Sequence, residues 1–239
     1  MTKTIVLTML AAVGIATAGS ASEGSVATDL NFGVGVTGTY STQDIWRGQN
    51  QGDNDVRLEA TTGLDFVGFP AFATLALSDN DLQDELELTV GGSYGLDAPF
   101  IGAFTAFADL NYYSEGTNVV GDVTSELGVG IAKNFSFGTV TLAQYIALDG
   151  DNDGYGEVTV DLGEVVSGIS AVASVGYLLE ETELTHVELV ANLPDLPVRI
   201  LDTSLTPFVK GVHTFDDRGG IWTNDGFEFV GGISLTRSF

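Results

Sequence analysis

The residues with the clearest potential for chemistry are the acids between positions 149 and 157, in the run Asp149-Gly-Asp151-Asn-Asp153-Gly154-Tyr-Gly-Glu157. Alternating carboxylates can converge on one hard cation, and a glycine permits the sharp turn between them. Val160 stands where an EF-hand has its bidentate glutamate, and no flanking helices are predicted. We predict a weak external Ca²⁺ site whose ligands are Asp149, Asp151, Asp153 and Glu157. An ordinary acidic hairpin loop is the alternative, because Asp, Asn and Gly are also turn residues.

Catalytic chemistry has little support in the sequence. The chain has no cysteine and two histidines, His186 and His213, neither of which lies in a serine-containing signature. Hydrolases that use histidine commonly pair it with serine or aspartate, so a lipid-acting hydrolase is kept only as a remote alternative. We expect no enzymatic activity and no required cofactor other than possible Ca²⁺.

Trp46 and Arg47 form an aromatic-basic pair in a polar stretch, Ser41–Asp55, that is predicted to be an outer loop. The pair has two interpretations: a substrate-gripping pair at the mouth of a channel, or an interfacial anchor with Trp at headgroup level and Arg on a lipid phosphate or a loop acid. The anchor is favoured.

Alternation of apolar and polar residues predicts the elements that position these groups. Val56–Phe66 alternates without a break, and the first such segment is Leu30–Tyr40. Period 2 places the two sets on opposite faces of a strand. The chain contains about 12 segments of this kind (range about 10–14), each about ten residues long, as tilted membrane strands are. The fold class is therefore all-β, a single antiparallel up-and-down transmembrane β-barrel.

The polar strand faces, which are predicted to face inward, are rich in acids. These residues are predicted to line a pore: Arg57, Glu59, Asp65, Glu85, Glu87, Asp109, Glu126, Asp161, Glu188, Lys210 and Glu228. Buried charges must be paired or hydrated, so this lumen must hold water, cations or both. A cation-preferring pore follows, unless side chains and pairs such as Arg57 with a neighbouring carboxylate fill the lumen.

The connections between strands alternate in character. The polar set carries seventeen acidic residues and the short set four. Outer-membrane barrels have short periplasmic turns and longer external loops, so the acidic rim is predicted to face outward. A soluble lipocalin-like barrel or sandwich, with apolar faces in the core, is the alternative. Phe239 ends the last predicted strand, and Leu235 and Ile233 lie on the same face at two-residue steps. This ending resembles the C-terminal signal of bacterial outer-membrane barrels and favours the membrane form.

The two ends of the chain and its charge bound the location. Lys3, an apolar run and Ala16-Thr17-Ala18 predict a secretory signal peptide over residues 1–21, leaving 22–239 as the barrel. The net charge of −25 argues against nucleic-acid binding. We expect the outer membrane of a Gram-negative bacterium. The expected partners are the lipid bilayer, lipopolysaccharide, small cations and the barrel-assembly machinery, which would recognise Phe239.

Trp46-Arg47-Gly48 with Gln51, running into Val56–Phe66, resembles a family of uncharacterised proteobacterial proteins. These proteins start, after a signal peptide, with an aromatic-x-x-Arg-Gly-x-x-Gln segment and end in an aromatic residue. The resemblance implies an outer-membrane barrel with a porin-like role and supplies no established activity. The predicted function is thus a small, cation-preferring channel with acidic external loops. The alternative is a non-conducting surface-interaction barrel whose loops bind Ca²⁺ or partners.

Overall fold

The computed structural model describes nine ranges of the chain, and every regular element in them is a β-strand. The ranges are 34–47, 49–66, 69–81, 84–117, 123–149, 154–179, 183–196, 203–215 and 226–238. The strands are β1 (Val34–Trp46), β2 (Gln49–Phe66), β3 (Phe69–Asp79), β4 (Asp84–Ala98), β5 (Gly102–Thr117), β6 (Val123–Phe135), β7 (Gly138–Ala147), β8 (Tyr155–Val166), β9 (Ile169–Leu178), β10 (Glu183–Asn192), β11 (Ser204–Thr214) and β12 (Gly226–Ser238). Within these ranges no helix is long and apolar enough to cross a membrane. The predicted signal peptide and Phe239 lie outside them.

The strands close into one barrel. Each strand pairs antiparallel with its neighbours in the chain, and β1 closes the sheet by pairing with β12 from Gly35 opposite Ser238 to Ser41 opposite Gly232. Closure leaves no free sheet edge among these strands. The predicted single antiparallel up-and-down barrel of about twelve strands is confirmed.

The aliphatic side chains lie on the outside of the barrel. Large apolar residues remain exposed along the strands, among them Leu75, Leu88, Val90, Leu110, Val129, Ile131, Leu142 and Leu189. Exposed aromatic rings lie towards both ends, with Tyr112, Phe215 and Phe227 near one rim and Tyr94, Phe135 and Phe137 near the other. A soluble barrel would bury such residues in its core. The soluble alternative is therefore wrong for this fold.

The first two strands continue beyond their neighbours as a hairpin that enters the lumen. The pairing of β1 with β12 ends at Ser41, and that of β2 with β3 begins at Val56. Residues 42–55 pair only with each other in this sheet, with a register shift between Asp44 and Ile45. We call residues 42–55 the inner hairpin. The prediction of an outer loop over Ser41–Asp55 is wrong, because these residues continue the ladder and fold inward.

Arg47 forms the turn of the inner hairpin in an unfavourable backbone conformation. Trp46 pairs with Gln49, which leaves a two-residue turn, and Arg47 has a φ of +49°. Two-residue hairpin turns of the common twist require a positive φ here. A non-glycine residue held in this region costs roughly 1 kcal/mol and persists where surrounding contacts fix it. The contacts of the Arg47 side chain supply that restraint.

Candidate functional site in the barrel lumen

Arg47 reaches from the inner hairpin to Glu126 on β6, which is far from β1 and β2 in the order of strands. The two guanidinium nitrogens donate to the two carboxylate oxygens of Glu126, with N–O distances of 2.8 and 2.7 Å. Only 6% of the Arg47 side chain and none of the Glu126 side chain is exposed. Parallel N–H bonds of this kind are among the strong hydrogen bonds in proteins. The pair therefore fixes the hairpin tip against the opposite wall.

Three tyrosines also lie around the guanidinium and its carboxylate partner. Its carbon lies 4.7 Å from the ring centre of Tyr145 and 4.2 Å from that of Tyr155. The Tyr113 hydroxyl donates to Glu126 at 3.3 Å. A cation over an aromatic face is attracted to the negative face of the ring, more strongly when water is excluded. We call Tyr113, Glu126, Tyr145 and Tyr155 the guanidinium cage.

The strand register and a glycine on the neighbouring strand position the tyrosine rings of the cage. Tyr145 on β7 lies opposite Tyr155 on β8, with ring centres 5.9 Å apart. Tyr145 also lies opposite Gly128 on β6. A Cβ on Gly128 would approach Tyr145 to 3.0 Å and Asp109 more closely still. Glycine at this position thus leaves the space that the Tyr145 ring needs.

The rest of the inner hairpin is held by packing and by polar contacts. Ile45 is buried with Val212 and Val230, from the inner faces of β11 and β12. Lys210 donates to the Ile45 carbonyl oxygen at 2.8 Å and also forms an ion pair with Glu188 at 2.8 Å. Near the base of the hairpin, Ser78 donates to Asp55. The hairpin is thus a fixed part of this lumen.

Beside Arg47 lies a polar cavity of about 320 Å³. Its lining combines tyrosines and charged residues from the hairpin and seven barrel strands: Ile45, Arg47, Glu87, Asn111, Tyr113, Tyr145, Tyr155, Glu157, Ser174, His186, Glu188 and Lys210. Glu87 pairs with Arg57 at 2.6 Å. Glu157 instead accepts hydroxyl hydrogen bonds from Tyr155 and Thr159, both at 2.7 Å. Among the described residues, Glu157 has no cationic contact.

The residues predicted to line a pore fall on the inner set of alternating positions. The strand register connects them in rows around the barrel, for example Arg57 opposite Ser78 and Ser78 opposite Glu85. The same set includes Glu59, Glu87, Asp109, Glu126, Asp161, Glu188, Lys210 and Glu228. Asp65 belongs to β2, but its side chain lies outside the described residues. Arg57 has the carboxylate partner that the filled-lumen alternative expects.

Of the four predicted Ca²⁺ ligands, the structure describes Asp149, which lies at the rim, and Glu157, which lies in the lumen. Asp151 and Asp153 lie outside the described residues. Asp149 accepts hydrogen bonds from the Thr124 hydroxyl and from the amides of Thr124 and Ser125, which lower the pKa of its carboxyl. Glu157 faces the lumen. Within the described ranges, no group of three or more His, Asp or Glu side chains is arranged to hold a metal ion.

The two histidines occupy different faces. His186 is buried in the lumen, where its ring lies parallel to Tyr155 and its Nδ1 meets the Thr185 hydroxyl at 3.0 Å. His213 lies at the acidic rim against Phe215, with Nδ1 3.1 Å from the Gly226 carbonyl oxygen. In the described part of the chain, neither ring contacts a serine hydroxyl.

Two features of the site were missed from the sequence. The anchor interpretation is wrong for Arg47, because its side chain is buried and paired with Glu126 in the lumen, while the Trp46 side chain lies outside the described residues. Tyr113 and Tyr155 were not singled out. Tyr155 stands two residues before Glu157, the inward spacing of a strand, and that spacing was the available signal.

Comparison with known proteins gives similarity in fold. No family model matches the chain, and no curated protein matches it. A structure from work on the in-meso crystallization of membrane proteins aligns with a TM-score of 0.54 and 13% identity, covering 87% of this chain and 84% of that one. Outer membrane protein Omp33 of Acinetobacter baumannii aligns with a TM-score of 0.47 and 8% identity, covering 88% and 98%. An outer membrane channel from Pseudomonas putida F1 aligns with a TM-score of 0.46 and 13% identity, covering 92% and 100%.

Proposed function

We propose that this protein is a porin-like channel of the outer membrane that prefers cations and is narrowed by its inner hairpin. The observation that carries the proposal is the division of the barrel wall into an apolar outer face and a charged inner face. Lipid contact requires the first, and an aqueous path requires the second.

The outer face supports membrane insertion. Exposed aliphatic side chains cover the middle of the barrel, and exposed aromatic rings lie towards both ends. Aromatic girdles at both interfaces around an apolar band are typical of outer-membrane barrels. The proposal includes export by the predicted signal peptide, acidic loops on the external side, and recognition of Phe239 by the assembly machinery.

The inner face supports cation preference. At least nine carboxylates occupy inner positions of the described strands, among them Glu59, Glu85, Glu87, Asp109, Glu126, Glu157, Asp161, Glu188 and Glu228. Three cations face them, namely Arg57 and Lys210 from the wall and Arg47 from the hairpin. An excess of fixed negative charge in a confined lumen raises the local concentration of cations and repels anions.

Single-channel recording in planar bilayers tests the proposal directly. The protein, folded from its mature chain, is placed between unequal KCl concentrations, and the reversal potential is read. We expect channel events with a reversal potential on the K⁺ side. Preference for chloride would overturn the cation proposal.

A specific observation favours a second candidate, a non-conducting barrel. The Arg47–Glu126 pair holds the hairpin across the lumen with both side chains buried. In this candidate the barrel acts at the surface, and its acidic loops bind Ca²⁺ or bridge to lipopolysaccharide through cations. It predicts a silent wild-type barrel and channel events after Arg47→Ala. Silence in both proteins would leave only the surface role.

A further inference from the structure

The Arg47 side chain is held as a bound ligand is held. Its guanidinium makes a bidentate contact with one carboxylate, two tyrosine rings lie within 5 Å of its carbon, and 6% of the side chain is exposed. Such an arrangement recognises the planar fork of a guanidinium and not a positive charge alone. A spherical ammonium ion can use neither the paired oxygens nor the ring faces as fully.

The cage belongs to the barrel wall and not to the hairpin. Tyr113, Glu126, Tyr145 and Tyr155 lie on β5, β6, β7 and β8, four consecutive strands of the closed sheet. Hydrogen bonds within the wall orient it: Tyr113 donates to Glu126, and Tyr155 donates to Glu157. Removal of the Arg47 side chain therefore leaves the binding groups in place on rigid elements.

An emptied cage has a strong need for a cation. Glu126 is fully buried, and a buried carboxylate that loses its cationic partner destabilises the fold, even though Tyr113 still donates to it. The 320 Å³ cavity borders Arg47, Tyr113, Tyr145 and Tyr155, so it offers space for the remainder of a small molecule next to the cage. Glu157 on its lining, which accepts hydrogen bonds from two hydroxyl groups, adds negative potential there.

From these contacts we propose that the cage is a binding site for free guanidinium groups, and that Arg47 is its tethered competitor. Small solutes bearing a guanidinium bind the cage when the hairpin withdraws Arg47, with the body of the solute in the adjoining cavity. Tethering gives Arg47 an effective concentration in the millimolar range or above, so the site is best measured after the tethered group is removed. The proposal concerns binding in the lumen and holds whether or not the barrel conducts.

Thermal unfolding of the Arg47→Ala barrel in detergent tests the site. Methylguanidinium is the probe, and methylammonium at the same ionic strength is the comparison. A ligand that binds only the folded state raises the melting temperature in proportion to the logarithm of its concentration above Kd. We expect methylguanidinium at millimolar concentrations to raise the melting temperature of Arg47→Ala, and methylammonium to match KCl.

Two further variants make the result specific. Arg57→Ala also removes an arginine from a luminal carboxylate, Glu87, but no aromatic contact is recorded for Arg57 within the described ranges. It should show no selective response to methylguanidinium. Arg47→Ala combined with Glu126→Gln should lose the response of the single variant. An equal response of Arg57→Ala, or a response that survives Glu126→Gln, would overturn the proposal.

The experiment remains decisive if Arg47→Ala folds poorly. The variant is then refolded with millimolar methylguanidinium or methylammonium, and the folded fraction is read from the heat-modifiable mobility of the barrel on gels. Selective recovery with methylguanidinium supports the cage, and equal recovery with both cations refutes it. Since neither readout uses conductance, failure of the channel proposal is distinguished from failure of this one.

Discussion

Arg47 at the tip of the inner hairpin and Glu126 on β6 face each other across the lumen through two hydrogen bonds, at 2.8 and 2.7 Å. β1 and β6 do not pair, so this contact links parts of the wall that the sheet itself does not join. The pair thus fixes the tip of the inner hairpin to the opposite wall, so that the hairpin spans the lumen.

The first prediction concerns the stability carried by this pair. Arg47→Ala removes the cationic partner of a fully buried carboxylate, and loss of one partner of a buried pair costs about 3–5 kcal/mol. Arg47→Met combined with Glu126→Leu removes both charges and should recover most of that loss. The free energy of unfolding is measured in urea, because guanidinium chloride contains the group that the cage is proposed to bind.

Arg57→Ala provides the matched control for this cycle. Arg57 lies 2.6 Å from Glu87, but 34% of its side chain is exposed, so solvent screens the pair. We expect a loss of about 1 kcal/mol or less. Equal losses for Arg47→Ala and Arg57→Ala would show that the buried Arg47–Glu126 pair stabilises the barrel no more than the partly exposed Arg57–Glu87 pair does.

The sequence predicted the barrel because its strands obey one simple rule. Outer positions need aliphatic residues and inner positions need polar ones, so period 2 is visible in segments such as Val56–Phe66. The inner hairpin was not predicted because most of its residues lie in a polar lumen, and the apolar contact of Ile45 with Val212 and Val230 is the exception. Its stretch, Ser41–Asp55, therefore has the composition of a loop while its backbone continues the ladder.

The cage escaped prediction for a different reason. Arg47 and Glu126 are separated by 79 positions, and only the closed sheet with an inward hairpin brings them together. The sequence placed Glu126 on the inner face but could not show which cation would reach it. The pattern within one strand predicts which side chains face the lumen and which face outward. Contacts across the lumen depend in addition on the direction in which the hairpin bends.

A second prediction tests the apolar contact that holds the hairpin. Ile45 packs against Val212 and Val230, and Ile45→Ala should cost about 2 kcal/mol, the lower part of the range for such truncations. A more loosely held hairpin should give longer open times in single-channel records. Val209→Ala, on the outer face of β11, is the control and should leave open times unchanged. Unaltered open times in Ile45→Ala would contradict a role of the hairpin in narrowing the lumen.

A third prediction follows from the pKa of Asp149. The Thr124 hydroxyl and the amides of Thr124 and Ser125 bind the charged carboxylate, so its folded-state pKa lies below 3.8. A carboxyl whose pKa is lower in the folded state stabilises the fold at pH values above its pKa in the unfolded chain. That contribution is lost as the pH falls below about 4. Titration of the carboxyl carbon by NMR should show the lowered pKa, and Thr124→Ala should raise it. A pKa at the ordinary value would refute the described hydrogen bonds.

A fourth prediction addresses the Ca²⁺ hypothesis for the loop that follows Asp149. If Asp151 and Asp153 join Asp149 around a cation, millimolar Ca²⁺ should raise the melting temperature, as expected for weak external sites. Asp151→Ala should abolish that rise. Asp97→Asn, at the opposite rim, should preserve it. A rise that persists in Asp151→Ala would remove this loop as the Ca²⁺ site.

The last prediction concerns ion selectivity and depends on Glu157. Its carboxylate lines the cavity and is bound by the Tyr155 and Thr159 hydroxyls, so Glu157→Gln removes a negative charge without releasing a paired cation. A unit charge about 10 Å from an ion in water is worth about 0.4 kcal/mol, roughly a two-fold change in the permeability of that ion. Because the lost charge attracts K⁺ and repels Cl⁻, the K⁺ to Cl⁻ permeability ratio, read from reversal potentials, should fall about four-fold. Asp97→Asn removes the same charge from an exposed position at the other rim and should change the ratio less. A ratio that responds equally to both variants would assign selectivity to net charge rather than to the lumen beside the cage.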